Sequence, residues 1–404
     1  MLRLLLERGP RSRATIAAET NLNKTTVSSL VRELDDAGLV KETAEFENPG
    51  HVGRPAQLVG IHRGSVCGIG LHIGTDDLEV LALDLSYSVL LEDREPLPAG
   101  ISRDGALDAI AALVDRVVGA VLARGATPVA VTLSTIGVVE ATTGIVRVAP
   151  HLGWRDVNLV EEIARRVPRS PIPILADNDA NLAALAEQWE GHGRALRNFV
   201  AVRGEAGVGA GVIVSGELVR GAFGHAGEIG HLLVDPQGPL CECGNRGCLE
   251  AYVGQHRLLA RAGIERPHLL ASEAAASLLA RAEGQDARTL VTLDEAGRAL
   301  GTALSAVVNM LDPEAIVLGG LFAPLAPWLA DPISKVLRQR VLASAWSPTR
   351  IISSILGTES ALRGAAATGL RTALAEPWTV PQHRAALAAA RGREVAGPAV
   401  AAGG

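Results

Sequence analysis

Along the first forty residues apolar side chains recur at helical intervals. From about residue 66 the chain changes to short, densely apolar runs separated by helical stretches. Leu2, Leu5 and Leu6 share one face of a helix that Gly9-Pro10 closes. Ser12 predicts the cap of a second helix, Arg13–Thr20, with Ile16 and Ala17 facing inward. After an Asn21-Leu22-Asn23 turn, Val27, Leu30, Val31 and Leu34 occupy the i, i+3, i+4 and i+7 positions of a third helix. That helix starts near Lys24 and stops at Ala37-Gly38. Leu39–Thr43 and Ala56–Ile61 read as strands flanking a loop rich in glycine and proline, Glu45–Pro55. Helix, tight turn, helix, then strand, loop, strand is the plan of a winged helix-turn-helix over residues 1–62.

The remainder alternates. Val66–Ile73, Leu78–Leu85, Ser88–Glu95 and Val129–Thr135 predict strands, with an amphipathic helix at Ala106–Arg124. Further strands are expected at Ile172–Ala176, Asn198–Val202, Ala210–Val214 and Ala315–Leu318, and helices at Ala180–Gly191 and Leu290–Leu311. This is an α/β pattern, with a ligand expected between two lobes. Beyond Pro377 the chain is rich in Ala, Gly and Arg and is expected to be a partly helical or disordered tail.

Composition narrows the function. Of 404 residues, 48% are apolar and 20% charged, enough for packed cores. A net charge of −6 excludes a surface that is basic throughout, so nucleic-acid contact requires a local patch. The head supplies one: up to residue 32, six basic residues (Arg3, Arg8, Arg11, Arg13, Lys24, Arg32) face two acidic ones (Glu7, Glu19). The outward side of the third helix carries Lys24, Thr25, Thr26, Ser28, Ser29 and Arg32, small hydrogen-bonding groups and cations suited to a major groove. One such helix reads one half-site, so a homodimer or tetramer on a pseudo-palindromic operator is expected. No apolar run reaches the ~20 residues of a membrane span, and the apolar N-terminal stretch lacks a cleavage site. A cytoplasmic protein is therefore expected.

Three of the four cysteines, Cys241, Cys243 and Cys248, crowd together just after His231. One imidazole and three thiolates make a tetrahedral set closed by protein ligands, the pattern of a structural zinc ion. Cys67 lies in an apolar run and reads as a small core residue.

The run from Ile172 to Tyr252, with Asp177-Asn178-Asp179-Ala180-Asn181, Gly227-Glu228-Ile229-Gly230-His231 and the cysteine knuckle, resembles the signature region of the ROK family. Gly53-Arg54-Pro55 is similar to the wing of that family's repressors, where the arginine is expected in the minor groove. The resemblance covers nearly all of residues 1–375. It implies a two-lobed actin/hexokinase-like (ribonuclease-H-like) sugar-kinase body, with lobes at 63–177 and 178–376 between the head and a tail at 377–404. It matches Asn178 and Asp179 to the sugar-binding asparagine and catalytic aspartate. It matches Glu228, His231 and Glu250 to residues that hold sugar hydroxyls, and Gly137 and His151–Trp154 to loops that close over the sugar. Vicinal hydroxyls do call for carboxylates and amides, which these positions supply.

The chain departs from the family's kinases at both phosphate loops. An Asp-x-Gly-Gly-Thr loop is replaced by His72-Ile73-Gly74-Thr75-Asp76, and a Gly-Thr-Gly by Glu205-Ala206-Gly207. Asp76 and Glu205 would place anions beside phosphate. The expectation is a repressor responding to an unphosphorylated sugar, with Asp179 a vestigial base. The alternative is a sugar kinase carrying a DNA-binding head.

Overall fold

The computed structural model describes residues 1–47, 56–168, 170–265 and 269–395. The head opens with α1 (Leu2–Arg8) and a two-residue strand, β1 (Arg11–Ser12). Ser12 Oγ accepts the Thr15 N–H at 3.1 Å and starts α2 (Arg13–Thr20). Asn21 turns the chain in the left-handed region at φ 56°, and Asn23 Oδ1 caps α3 (Lys24–Asp36) by accepting the Thr26 N–H at 2.8 Å. Strands β2 (Val40–Glu47) and β3 (Ala56–Ile61) pair antiparallel, with β1 on the far side of β3. The loop expected to carry Arg54 lies outside the described residues.

The first lobe is a five-stranded sheet of β4 (Val66–Ile73), β5 (Asp77–Asp84), β6 (Val89–Pro96), β7 (Thr127–Thr135) and β11 (Ile174–Asn178), in the order β11-β7-β4-β5-β6. Its helices α4 (Arg103–Ala123) and α5 (Leu159–Arg166) cover one face, where Ile69, Leu71, Val80 and Val131 point. A small sheet of β8 (Val138–Glu140), β9 (Ile145–Ala149) and β10 (Trp154–Asn158) projects beyond β7.

The second lobe repeats the plan. After α6 (Asp179–Trp189) come β12 (Phe199–Gly204), β13 (Val208–Val214) and β14 (Glu217–Leu218). The cysteine knuckle leads into α7 (Glu250–Val253), α8 (Gln255–Arg261), α9 (Ala271–Glu283) and α10 (Ala287–Leu311). Then follow β15 (Ala315–Gly320), α11 (Phe322–Arg340) and β16 (Arg350–Ser353). The order β14-β13-β12-β15-β16 matches the first lobe: three antiparallel strands, then two added in parallel. Among the described residues no helix is long and apolar enough to cross a membrane.

Helix α12 (Ser360–Ala375) leaves the second lobe and packs against the free face of the first sheet. Gly68 and Gly70 of β4 permit this, since a Cβ at either would run into the backbone carbonyls of Ala366 or Leu362. The segment expected to be a partly helical or disordered tail carries α13 (Thr379–Val395), with Val380 and Leu387 buried. Two apolar residues a helical face apart were enough to anchor it, in a composition that otherwise reads as weakly hydrophobic.

Nor is the head simply tethered through Ile61–Ser65. Leu5, Ile16, Val31, Leu39 and Val59 of the head join Leu81 and Leu83 of β5, Leu370 of α12 and Val380 of α13 in one buried cluster. Arg384 of α13 donates to Thr127 Oγ1 of β7 (3.1 Å) and to the Ala37 carbonyl just past α3 (3.4 Å), tying the two units across the seam.

Candidate functional site

The cleft between the lobes gathers Gly137, Asn178, Asp179, Glu228, His231 and Glu250 around one opening. β11 ends in Asn178, whose side chain caps α6: Oδ1 accepts the N–H groups of Ala180 (2.9 Å) and Asn181 (3.1 Å). Its Nδ2 donates to the Gly137 carbonyl at 2.9 Å, which leaves one amide N–H for a ligand. Asp179, the first residue of α6, thus stands at a helix N-terminus facing the cleft. Glu228 and His231 flank a short helical turn, with Glu228 Oε2 3.9 Å from His231 Nε2. Glu250 opens α7; its Oε2 accepts the Val208 N–H at 3.0 Å, and its Oε1 lies 3.7 Å from Nε2 of His151 on the opposite lobe. His151 Nδ1 is also 2.9 Å from Glu242 of the knuckle.

These contacts set the charge states. Burial, with Asp179 and Glu250 nearby, pushes the Glu228 carboxyl up despite the opposing pull of His231. Burial also works against ionisation of Glu250, yet His151 and the Val208 N–H hold it below the ordinary glutamate range. His151 is raised in turn, first by its hydrogen bond to Glu250. Five carboxylates line the cleft (Asp179, Glu205, Glu228, Glu242, Glu250), a surface rich in acceptors for hydroxyl groups.

The ligand atoms of His231, Cys241, Cys243 and Cys248 all lie within 4.8 Å of one another, so this set could hold a metal ion. The His231 nitrogen nearest the thiols is Nδ1, 3.9 Å from Cys241 Sγ, while Nε2 is directed at Glu228. The knuckle is folded by backbone bonds from Cys241 N to Asn245 O and from Gly247 N to Pro239 O, both 2.8 Å. Gly247 sits at φ 72°, and a Cβ there would collide with the Asp235 carbonyl. Cys67 is fully buried in β4, and burial lifts its thiol to about 12.

Behind Asp179 and Glu205 lies an ion-paired cluster. His72 Nε2 is 3.1 Å from Glu205 Oε1, and Arg203 donates to Glu205 Oε2 (2.6 Å) and Asp179 Oδ2 (3.1 Å). Burial opposes ionisation of Glu205, but Arg203 and His72 outweigh it and hold the carboxyl far below its usual value. His72, though burial works the other way, is raised by Glu205. Asp76, at the turn after β4, accepts from Thr75 Oγ1 at 2.9 Å. Sequence reasoning did not single out Arg203, the cation at the centre of this cluster. Its signal was a lone cation in the apolar run Phe199-Val200-Ala201-Val202.

In the head, Lys24, Thr25, Ser28, Ser29 and Arg32 of α3 are exposed and Thr26 is half-buried. Ser29 Oγ donates to Glu33 on the same helix at 3.2 Å. Val27, Val31 and Leu34 face the core, so the polar face is turned outward as expected.

Residues 68–371 match the family described as the ROK family. A putative xylose repressor of Caldicellulosiruptor sp. (strain Rt8B.4) is 26% identical over 387 residues, covering 93% of this chain and 96% of that protein. Among solved structures, a ROK family transcriptional regulator, homolog of the E. coli MLC protein, superposes with a TM-score of 0.75 at 25% identity, covering 96% of both chains. A ROK family glucokinase from Streptomyces griseus, in complex with glucose and AMPPNP, gives a TM-score of 0.65 at 28% identity, covering 75% of this chain and 98% of that one.

Proposed function

This chain belongs to the ROK family, and on that premise we propose that it is a sugar-responsive repressor: a winged helix-turn-helix head at 1–62 whose grip on DNA is set by a sugar held between two body lobes. The observation that carries this reading is the asymmetry about Asp179. The side bearing Glu228, His231 and Glu250 is open and rich in acceptors, while on the other side Asp179 and Glu205 are tied up by Arg203 and His72.

Asn178, Asp179, Glu228, His231, Glu250 and Gly137 bind the sugar. His231, Cys241, Cys243 and Cys248 hold a structural zinc ion, which fits three thiolates and an imidazole with their donor atoms converging. A zinc ion held there would supply no reaction; the four residues would brace the knuckle around it, and His231, its Nδ1 on the side of Cys241, would keep Nε2 toward Glu228 and the ligand. Lys24, Thr25, Thr26, Ser28, Ser29 and Arg32 contact the major groove, and Arg54 the minor groove, of each half-site of a pseudo-palindromic operator bound by a homodimer.

A sugar changes operator affinity only through its different affinities for the open and closed cleft. Closure rotates one lobe against the other, and the head, cored into the first lobe and α12–α13, turns with it.

A kinase reading draws support from neighbours such as the glucokinase. Against it stands Glu205, an anion where nucleotide phosphate would lie. The deciding experiment joins two measurements on one preparation. The first is fluorescence anisotropy on DNA sites selected by the protein from a random pool, with and without D-xylose, D-glucose and N-acetyl-D-glucosamine. The second is a coupled ADP assay with the same sugars. Sugar-dependent DNA binding without ADP release is expected. Turnover at an ordinary kinase rate, ~1–100 s⁻¹, or DNA binding indifferent to every sugar tried, would refute the proposal.

A further inference from the structure

Arg203 occupies a position that apolar packing alone would not give to an arginine. It is 4% exposed on β12, and its guanidinium is spent on four partners. Nε donates to Asp179 Oδ2 at 3.1 Å and Nη2 to Glu205 Oε2 at 2.6 Å, while Nη1 reaches the Thr358 carbonyl at 3.0 Å and Ser360 Oγ at 3.5 Å, at the start of α12. The second oxygen of Glu205 meets His72 of β4, whose other ring nitrogen is 3.1 Å from Ser134 Oγ of β7. Aspartate, arginine, glutamate and histidine thus alternate in sign through a nearly dry interior. One end is a sugar-site carboxylate and the other lies in the first lobe. The His72–Glu205 contact is where this chain of charges crosses from lobe to lobe. On its far side His72 pairs in the sheet with Glu79, which with Asp77 is held by Arg94 of β6.

Buried charges are poorly screened, so altering one alters the balance at its neighbours, and a partner lost leaves the other uncompensated. Arg203 is forked and planar and can hold two carboxylates at once, which a lysine cannot. Resting on the sugar-site reading above, we infer that Arg203 is a positioning residue through which the first lobe registers an occupied sugar site. A sugar hydroxyl donated to Asp179 competes with Nε for that carboxylate. Arg203 is then drawn more fully onto Glu205, and the hold of Glu205 on His72, which bridges the cleft, weakens. The nucleotide half of a kinase-like cleft is on this view a transmission element rather than an empty remnant. The side-chain partners described for His72 are Glu205 and Ser134, neither of them assigned to hold the sugar, so its removal separates transmission from binding.

The test compares wild type, His72→Gln, Glu205→Gln and Arg203→Lys. Sugar affinity is measured by calorimetry with D-xylose, D-glucose and N-acetyl-D-glucosamine. Affinity for a DNA site selected from a random pool is measured with and without the sugar that binds. In wild type the two DNA affinities differ by a factor in the usual coupling range, ~5–150-fold. In His72→Gln the sugar is expected to bind within about threefold of wild type while that factor falls below about twofold, an apparent coupling near zero. Glu205→Gln, nearly isosteric, should lower the factor similarly. Arg203→Lys should lower it and weaken sugar binding as well. Wild-type coupling retained in both His72→Gln and Glu205→Gln, with sugar still bound, would overturn the relay alone. Failure of wild type to bind any of the sugars would overturn the site reading and the relay with it.

Discussion

Replacing Gly247 by alanine removes none of the four candidate metal ligands, yet the structure makes it a severe change. At φ 72° an alanine sits in the left-handed region, which costs about 1–2 kcal/mol. Its methyl group also points into the carbonyl oxygen of Asp235, on the strand-like segment that Gly247 itself holds through the Val234 N–H (2.8 Å). Relieving that overlap by moving backbone costs on the order of another 1–3 kcal/mol. Cys248 is the next residue, so the shift displaces a thiol from the cluster and adds lost ligation to the conformational cost. The expected loss is therefore about 2–5 kcal/mol, with weakened metal retention. The assay is zinc per chain by plasma emission, together with urea unfolding before and after dialysis against a chelator. Cys243→Ser is the reference, losing a ligand without touching the backbone. Wild-type zinc content and an unchanged unfolding midpoint in Gly247→Ala would refute the view that this turn shapes the site.

Other outcomes follow from the same geometry. Glu228→Ala should keep sugar-free operator affinity and lose the response to sugar, read by anisotropy; a normal response would remove Glu228 from the sensor. The His72–Glu205 pair should be strongest in weakly acidic solution. His72 is raised by Glu205, so its contribution is complete below the ordinary histidine value of 6.5 and fades as pH climbs through the folded value, whereas that of Glu205, whose carboxyl is depressed, fades only in acid. The melting-temperature gap between wild type and His72→Gln should accordingly narrow from pH 6 to pH 9, and a gap that widens would reverse the assignment. Arg384→Met, which unties α13 from Ala37 and Thr127, should cost about 1 kcal/mol in stability and blunt the preference for one half-site spacing, measured with operators lengthened by single base pairs. Equal discrimination between spacings would show that α3 is aimed without it.

The elements of both lobes were legible because their burial follows simple periods. Alternate residues of β5 face opposite layers, Val80 and Ala82 toward α4 and Leu81 and Leu83 toward α12 and the head, so the strand declared itself in the pattern. The caps at Ser12 and Asn23 were likewise local events written in one or two residues. The cluster that could hold a metal was legible because spacing alone brings three thiols together. What escaped was non-local. Arg203 acquires its meaning from Asp179, Glu205 and Thr358, spread over 180 positions of sequence. The same holds for α13, whose low apolar content gave no hint that Val380 and Leu387 would each find a core already formed.

The seam between head and body bears on how such proteins are rebuilt. A reader of DNA that merely hung from residue 62 could be exchanged for another like a fitting. Here the inner wall of that reader is made in part by β5, α12 and α13, from positions twenty to more than three hundred residues away. A graft that carries only residues 1–62 would therefore bring half an interface and leave Leu81, Leu83, Leu370 and Val380 facing a stranger. If α3 reads the operator as proposed, swapping specificity between relatives demands either changing only its exposed face or transplanting both shores of the seam together. The conservative route, rewriting Lys24, Thr25, Ser28, Ser29 and Arg32 on an unaltered core, keeps the joint through which any movement of the lobes must pass.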